Sequence, residues 1–260
     1  MKYQIDYGEL LCLLLDTFVT FSRRDVGWVL AGFRGTGNQR THYEIIRRME
    51  REGLVQRQGR GAAARFTITV KGRQRAVVCD PAREWARSWD KQWRVVSYDL
   101  PETRRRERRM LWRALRDRKL GFLQRSLWVW THQVEVTLRE IIEVEGVPEC
   151  FCGFEAHRVF LCTDAEIVAT AWDFEEIHKR QQMYLNQLVA TPARAKAAQQ
   201  PAELARLARL EHQSYQHAFS LDPLLPRVLW PKEYLGPAVE KRHQEFRSAF
   251  HRRRRQLARE

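Results

Sequence analysis

The chain has 260 residues, 44% of them hydrophobic, with only 13 Gly and 9 Pro, a composition that excludes a disordered or collagen-like protein. Its 46 Lys and Arg exceed its 32 Asp and Glu, and the resulting net charge of +14 favours a polyanionic partner, nucleic acid first. Because no C-x-x-C pair and no apolar run of roughly 18 residues occurs, we exclude a zinc ribbon and a membrane partner and expect a cytoplasmic protein.

The N-terminal elements follow the order of a winged helix. Apolar residues at spacings of three and four predict a first helix over residues 5–18, and a short second helix is expected over 25–31. After glycines at 32, 35 and 37, a third helix is predicted to run to Arg51 and to end before Gly53. Two strands follow at 54–57 and 65–70, joined by a loop with two glycines. Three helices and a hairpin predict a winged helix-turn-helix domain over residues 1–90.

The third predicted helix has two different faces. Ile45, Ile46 and Met49 form its apolar face, and polar residues share the other side at helical spacing. In helix-turn-helix proteins the N-terminal part of this helix reads base edges. The candidates for base contact are therefore Asn38, Gln39, Arg40, Tyr43 and Glu44. The candidates for phosphate contact, from the helix and the hairpin, are Arg47, Arg48, Arg51, Arg57, Arg60 and Arg65. The alternative is a polar face that only meets water.

The remaining residues divide into a mixed part and a helical part. Strands at 93–99, 122–130, 150–154 and 157–162 alternate with helices at 103–119 and 138–144, which predicts an α+β, ferredoxin-like central domain at 91–163. From residue 164 onward helices alternate with proline breaks, which predicts a helical C-terminal domain at 164–260. Near its end lies the run Arg252-Arg253-Arg254-Arg255, a pattern more typical of a solvated or frayed tail than of a site.

Four segments resemble the PaaX-like (phenylacetate-degradation repressor) family. NQRTHYEIIRRMEREGLVQRQGRG resembles its DNA-binding part, WRVVSYDLPETRRRERRMLWRALRDRKLGFLQRSLWVW its central domain, and AWDFEEIHKRQQMYLNQL with HAFSLDPLLPRVLWPKEYLGPAVEKRHQEF its C-terminal domain. The resemblance implies a homodimeric repressor of a catabolic operon. It also implies that a small-molecule effector, the coenzyme A thioester of an aromatic acid, releases the repressor from its double-stranded DNA operator. Tyr43 stands where we expect a basic residue in relatives, which implies a different operator.

The central segment leaves an enzymatic alternative open. It is similar to the small CRISPR-associated ferredoxin-like nucleases, whose first strand ends in Asp-x-Pro, as Asp99-Leu100-Pro101 does here. In such a metal-dependent nuclease, Asp99 from each of two subunits would hold Mg²⁺ and polarise a phosphate. A single carboxylate beside Glu102 is a weak metal signal, so we favour a regulator that is not an enzyme and expect neither catalytic nor metal-binding residues.

Overall fold

The computed structural model of the chain describes residues 6–33, 39–76, 80–146 and 151–259. Its first three helices are α1 (Tyr7–Thr17), α2 (Arg23–Leu30) and α3 (Gln39–Arg51). Helix α2 begins with a capping box, in which the Ser22 hydroxyl accepts from the backbone N–H of Asp25 and the Asp25 carboxylate accepts from that of Ser22. Helix α3 ends before Gly53, whose φ of 70° is the left-handed conformation that closes many helices.

A two-stranded antiparallel hairpin follows the helices. Its strands are β1 (Val55–Gln58) and β2 (Arg65–Ile68), and helix α4 (Val70–Ala76) comes next. Phe21, between α1 and α2, forms an isolated antiparallel bridge with Phe66 of β2, and both side chains are fully buried. The hairpin therefore shares one hydrophobic core with the three helices, built around Leu10, Leu14, Val26, Leu30, Ile46, Met49 and Phe66.

The central part forms a four-stranded antiparallel sheet with helices between its strands. In chain order its elements are α5 (Pro81–Trp85), β3 (Trp93–Tyr98), α6 (Arg105–Asp117), β4 (Gly121–Gln124), β5 (Leu127–Trp130), α7 (Glu135–Glu145) and β6 (Phe151–Ala156). The strand order is β4-β5-β3-β6, which together with the chain order β-α-β-β-α-β is the ferredoxin-like arrangement. The predicted α+β, ferredoxin-like centre is confirmed.

Two strand predictions in this part are wrong. The single strand expected at 122–130 is a tight hairpin, because the chain turns at Arg125, whose φ is 46°, and Ser126. The strand expected at 157–162 is irregular backbone. Leu161 there has a φ of 68°, which an extended strand does not accommodate. The apolar and aromatic residues that indicated a strand are instead exposed at Phe160 and Leu161.

The described residues after 163 contain helices and no strand. These helices are α8 (Asp164–Ala171), α9 (Phe174–Gln187), α10 (Thr191–Ala197), α11 (Pro201–Ala218) and α12 (Gly236–Leu257). Among the residues that the structure describes, no helix combines the length and the apolar character needed to cross a membrane. The absence of a membrane partner and the cytoplasmic location stay predictions.

The chain divides into two compact units. In the parts that are described, the first comprises Met1–Cys79, Tyr184–His217 and Ala238–Glu260, and the second comprises Asp80–Met183 and Ala218–Pro237. This division differs from the three consecutive domains predicted at 1–90, 91–163 and 164–260, because the helices of the C-terminal part are shared between the two units.

Within the first unit, α11 and α12 pack on the N-terminal helices. Arg209 of α11 forms a two-pronged ion pair with Glu9 of α1, with its Nε 2.8 Å from Oε1 and its second terminal nitrogen 3.0 Å from Oε2. The Trp28 ring of α2 makes an edge contact with Phe250 of α12, with 5.5 Å between ring centroids. The C-terminal helices are therefore part of the framework that holds α1 and α2.

A buried polar cluster joins three helices in the same unit. The carboxylate of Glu211 in α11 accepts a hydrogen bond from the Tyr184 hydroxyl at 2.7 Å and lies 2.8 Å from Nδ1 of His243 in α12. The His243 ring stacks on Tyr215, with 3.9 Å between the ring centroids. Glu211 is 3% exposed, so these contacts replace water around its charge.

Candidate nucleic-acid interface

Helix α3 exposes the polar face that the sequence predicts. Ile45, Ile46 and Met49 are buried in the core, and the predicted contact residues point to the opposite side. The exposed candidates on α3 are Gln39, Arg40, Tyr43, Glu44, Arg47, Arg48 and Arg51. Asn38 lies outside the described residues. The geometry therefore presents a continuous polar stripe, whereas its contact with DNA stays a prediction.

Arg40 and Glu44 form an exposed ion pair near the start of α3. Arg40 Nε lies 3.2 Å from Glu44 Oε1, and the two side chains are 88% and 64% exposed. An exposed pair one helical turn apart contributes only a few tenths of a kcal/mol, about 0.3–0.5. The Arg40 guanidinium can therefore exchange Glu44 for another acceptor at low cost.

Tyr43 has a cationic neighbour that the sequence analysis missed. The guanidinium of Arg23, at the start of α2, lies over the Tyr43 ring at 5.2 Å from its centroid. This cation–π contact places a positive charge beside the position where we expect a basic residue in relatives. The only sequence signal was the pattern Ser22-x-x-Asp25, which fixes the start of α2 and hence the place of Arg23.

Arg48 and His42 each link α3 to another helix. Arg48 Nε lies 2.7 Å from Glu52 Oε1, and its guanidinium lies 5.1 Å from the centroid of the Tyr7 ring. Arg48 therefore contacts α1 through the Tyr7 ring in addition to carrying a positive charge on α3. His42 packs against α2 where Gly27 leaves room, because a Cβ at Gly27 would lie 2.8 Å from His42 Nδ1. His42 is thus packed at the crossing of α2 and α3.

The hairpin carries three exposed arginines. Arg57 lies on β1, Arg65 on β2, and Arg60 in the connection between the strands. The connection bends at Gly59 and Gly61, whose φ values of 79° and 65° suit glycine. The hairpin packs into the same hydrophobic core as α3. Its three arginines and the α3 stripe therefore belong to one compact part of the protein.

Asp99, the metal ligand of the nuclease alternative, lies at the exposed end of the first central strand. Asp99 follows β3 and is exposed, and Glu102 is exposed as well. Among the described residues no group of three His, Cys, Asp or Glu side chains could hold a metal ion. Two carboxylates on one subunit are too few ligands for a divalent cation without further donors.

A match to a known protein family covers the central domain. Residues 86–168 match the family described as PaaX protein central Cas2-like domain. Among solved structures, the chain is similar to an uncharacterized protein, Rv0674, from Mycobacterium tuberculosis, with a TM-score of 0.62 and 19% identity over 96% of each chain, a likeness that concerns the fold alone. No curated protein matches the chain. Residues 86–168 thus match the central Cas2-like domain of PaaX proteins, which agrees with the resemblance of this segment to the PaaX-like family.

Proposed function

We propose that this protein is a sequence-specific, DNA-binding transcriptional regulator and that its N-terminal part is a winged helix. One observation carries the proposal: the exposed polar stripe of α3 and the basic hairpin stand on a single buried core. The order of three helices and a hairpin supports a winged helix, in which the third helix enters the major groove. The PaaX central domain supports a role in transcription.

The roles of the side chains follow from their positions. We infer that Gln39 and Arg40, at the N-terminal end of α3, meet base edges, where a guanidinium can bind guanine O6 and N7 together. The arginines farther along α3 and on the hairpin would bind phosphates, which fixes register and supplies affinity without sequence information. These phosphate contacts are assigned to Arg47, Arg48, Arg51, Arg57, Arg60 and Arg65.

The finer features of the proposal come from the family. We infer a homodimer that represses a catabolic operon and is released by the coenzyme A thioester of an aromatic acid. A dimer would place two α3 helices on half-sites one helical turn of DNA apart, or a multiple of it. An operator with inverted half-sites, recovered by mapping the binding sites in the genome, would support the dimer.

The substitutions Arg40→Ala and Arg60→Ala separate base reading from phosphate binding. Arg40→Ala is expected to cost about 1–3 kcal/mol on a duplex selected by the wild type and much less on a scrambled duplex, because its partner is a base. Arg60→Ala is expected to weaken both duplexes by similar factors, because its partner is a phosphate. Competition titrations with the selected and scrambled duplexes measure both effects. Equal proportional losses for the two variants on both duplexes would contradict base reading by α3.

We further propose that the protein has no nuclease activity, because Asp99 lacks the companion ligands of a metal site among the described residues. Wild type and Asp99→Ala are expected to leave single- and double-stranded DNA and RNA intact with Mg²⁺ or Mn²⁺. The measurement is gel analysis of end-labelled substrates. Metal-dependent cleavage by the wild type that Asp99→Ala abolishes would establish the nuclease alternative instead.

A further inference from the structure

The arginine run near the end of the chain lies on an ordered helix. Six arginines occur between Arg247 and Arg259 without an acidic residue among them. Helix α12 continues through this run to Leu257, and Phe246 and Phe250 on its inner side are buried. The frayed tail expected from the sequence is therefore wrong, because the run is helical, whereas Arg252 and Arg255 are solvated as expected.

A series of contacts connects this end of α12 to the exposed face of α3. The Arg254 guanidinium lies 4.6 Å from the centroid of the Phe18 ring, at the end of α1. The carboxylate of Asp25, in the first turn of α2, is close enough to favour the charged form of Arg254. The first residue of α2, Arg23, lies in turn over Tyr43 of α3. Arg254 thus lies near the start of α2, whose first residue contacts the α3 stripe.

Arg23 and Arg254 each have a buried atom that is not hydrogen-bonded within the described part of the protein. The Nε atoms of Arg254 and Arg23 are both buried and have no hydrogen-bond partner among the described residues. Burial lowers the pKa of Arg254, and the charge of Arg255 lowers it further against the opposing effect of Asp25. Arg255 is exposed and Arg23 and Arg254 are half-buried, so a phosphate would approach the accessible parts of these side chains rather than their buried Nε atoms. Phosphate oxygens are strong acceptors for a guanidinium.

We propose that the last turns of α12 form a second contact with the DNA backbone. Arg254 and Arg255, with Arg23 at the start of α2, bind phosphates of the same duplex next to the segment that α3 and the hairpin occupy. The inference rests on the proposed DNA-binding function and extends it to a part of the chain about 200 residues beyond the predicted recognition helix. The partner is the sequence-independent phosphate backbone, so the contact adds affinity rather than base specificity.

The test compares two double variants of the full chain that lose the same charge. Arg254→Gln with Arg255→Gln removes two arginines of the proposed contact. The matched control, Arg206→Gln with Lys241→Gln, removes two exposed cations of α11 and α12, the second of them about 20 Å along α12 from Arg255. Binding to a mixed-sequence duplex of about 40 base pairs is measured by fluorescence anisotropy over a series of salt concentrations. Circular dichroism verifies that each variant keeps its helix content.

The first variant is expected to bind roughly 10-fold more weakly at about 100 mM salt, with a log–log salt slope smaller in magnitude by about 1 to 2. The control is expected to keep the wild-type affinity within about 2-fold. If the wild type binds with a steep salt dependence and the two variants lose affinity equally, the α12 contact is overturned and the proposed function stands. If the wild type itself fails to bind the duplex, both are overturned.

Discussion

Replacing Glu211 with leucine is expected to lower the free energy of unfolding of the first unit by about 3–5 kcal/mol. The leucine would leave the Tyr184 hydroxyl and His243 Nδ1 buried without their shared acceptor. Burial and then the Glu211 charge raise the pKa of Tyr184, so the hydroxyl remains a donor that needs an acceptor at neutral pH. Because the cluster joins α11 and α12, its loss would also loosen the helices that hold α1 and α2.

Urea denaturation followed by circular dichroism measures this effect, and Arg206→Leu is the matched control. Arg206 lies on the same helix but is exposed, so its replacement is expected to change stability by less than about 0.5 kcal/mol. A Glu211→Leu variant as stable as the control would show that the buried cluster adds nothing to the stability of the unit.

The local order of the N-terminal elements could be predicted from the sequence because short-range patterns determine it. The apolar spacing of α3 and the glycine after it gave the helix, its buried face and its end. The start of α2 was placed two residues late, although Ser22-x-x-Asp25 has the form of a capping box. The β4–β5 hairpin was not predicted because apolar residues lie on both sides of its turn. Their pattern indicated one long strand.

Long-range contacts could not be predicted in the same way. Glu9 and Arg209 are 200 residues apart in the chain, and no periodicity connects them. Arg23 and Tyr43 meet through the packing of α2 on α3, and Arg254 reaches Phe18 through the packing of α12. The exposed candidates were identified from one helix and one hairpin. The neighbouring charges that complete the basic surface depend on tertiary structure.

The central claim is that α3 and the hairpin bind duplex DNA through their phosphate-facing arginines. Seven exposed arginines, partly offset by Glu44 and Glu52, stand on this surface: Arg40, Arg47, Arg48, Arg51, Arg57, Arg60 and Arg65. Each cation that neutralises a phosphate releases condensed counterions, so the affinity must fall steeply as salt is added. A neutral polymer of the same length should not compete for this surface.

The most direct measurement is the salt dependence of duplex binding by the full wild-type chain. A log–log slope of about −4 or steeper is expected, which is a loss of roughly 250-fold between about 50 and 200 mM salt. The substitutions Arg47→Gln and Arg51→Gln together should reduce the magnitude of the slope by about 2, since they remove two phosphate contacts. A steep slope that this double variant reduces is the result that the account predicts. A flat salt response of the wild type, or a steep one that the variant leaves unchanged, would contradict it.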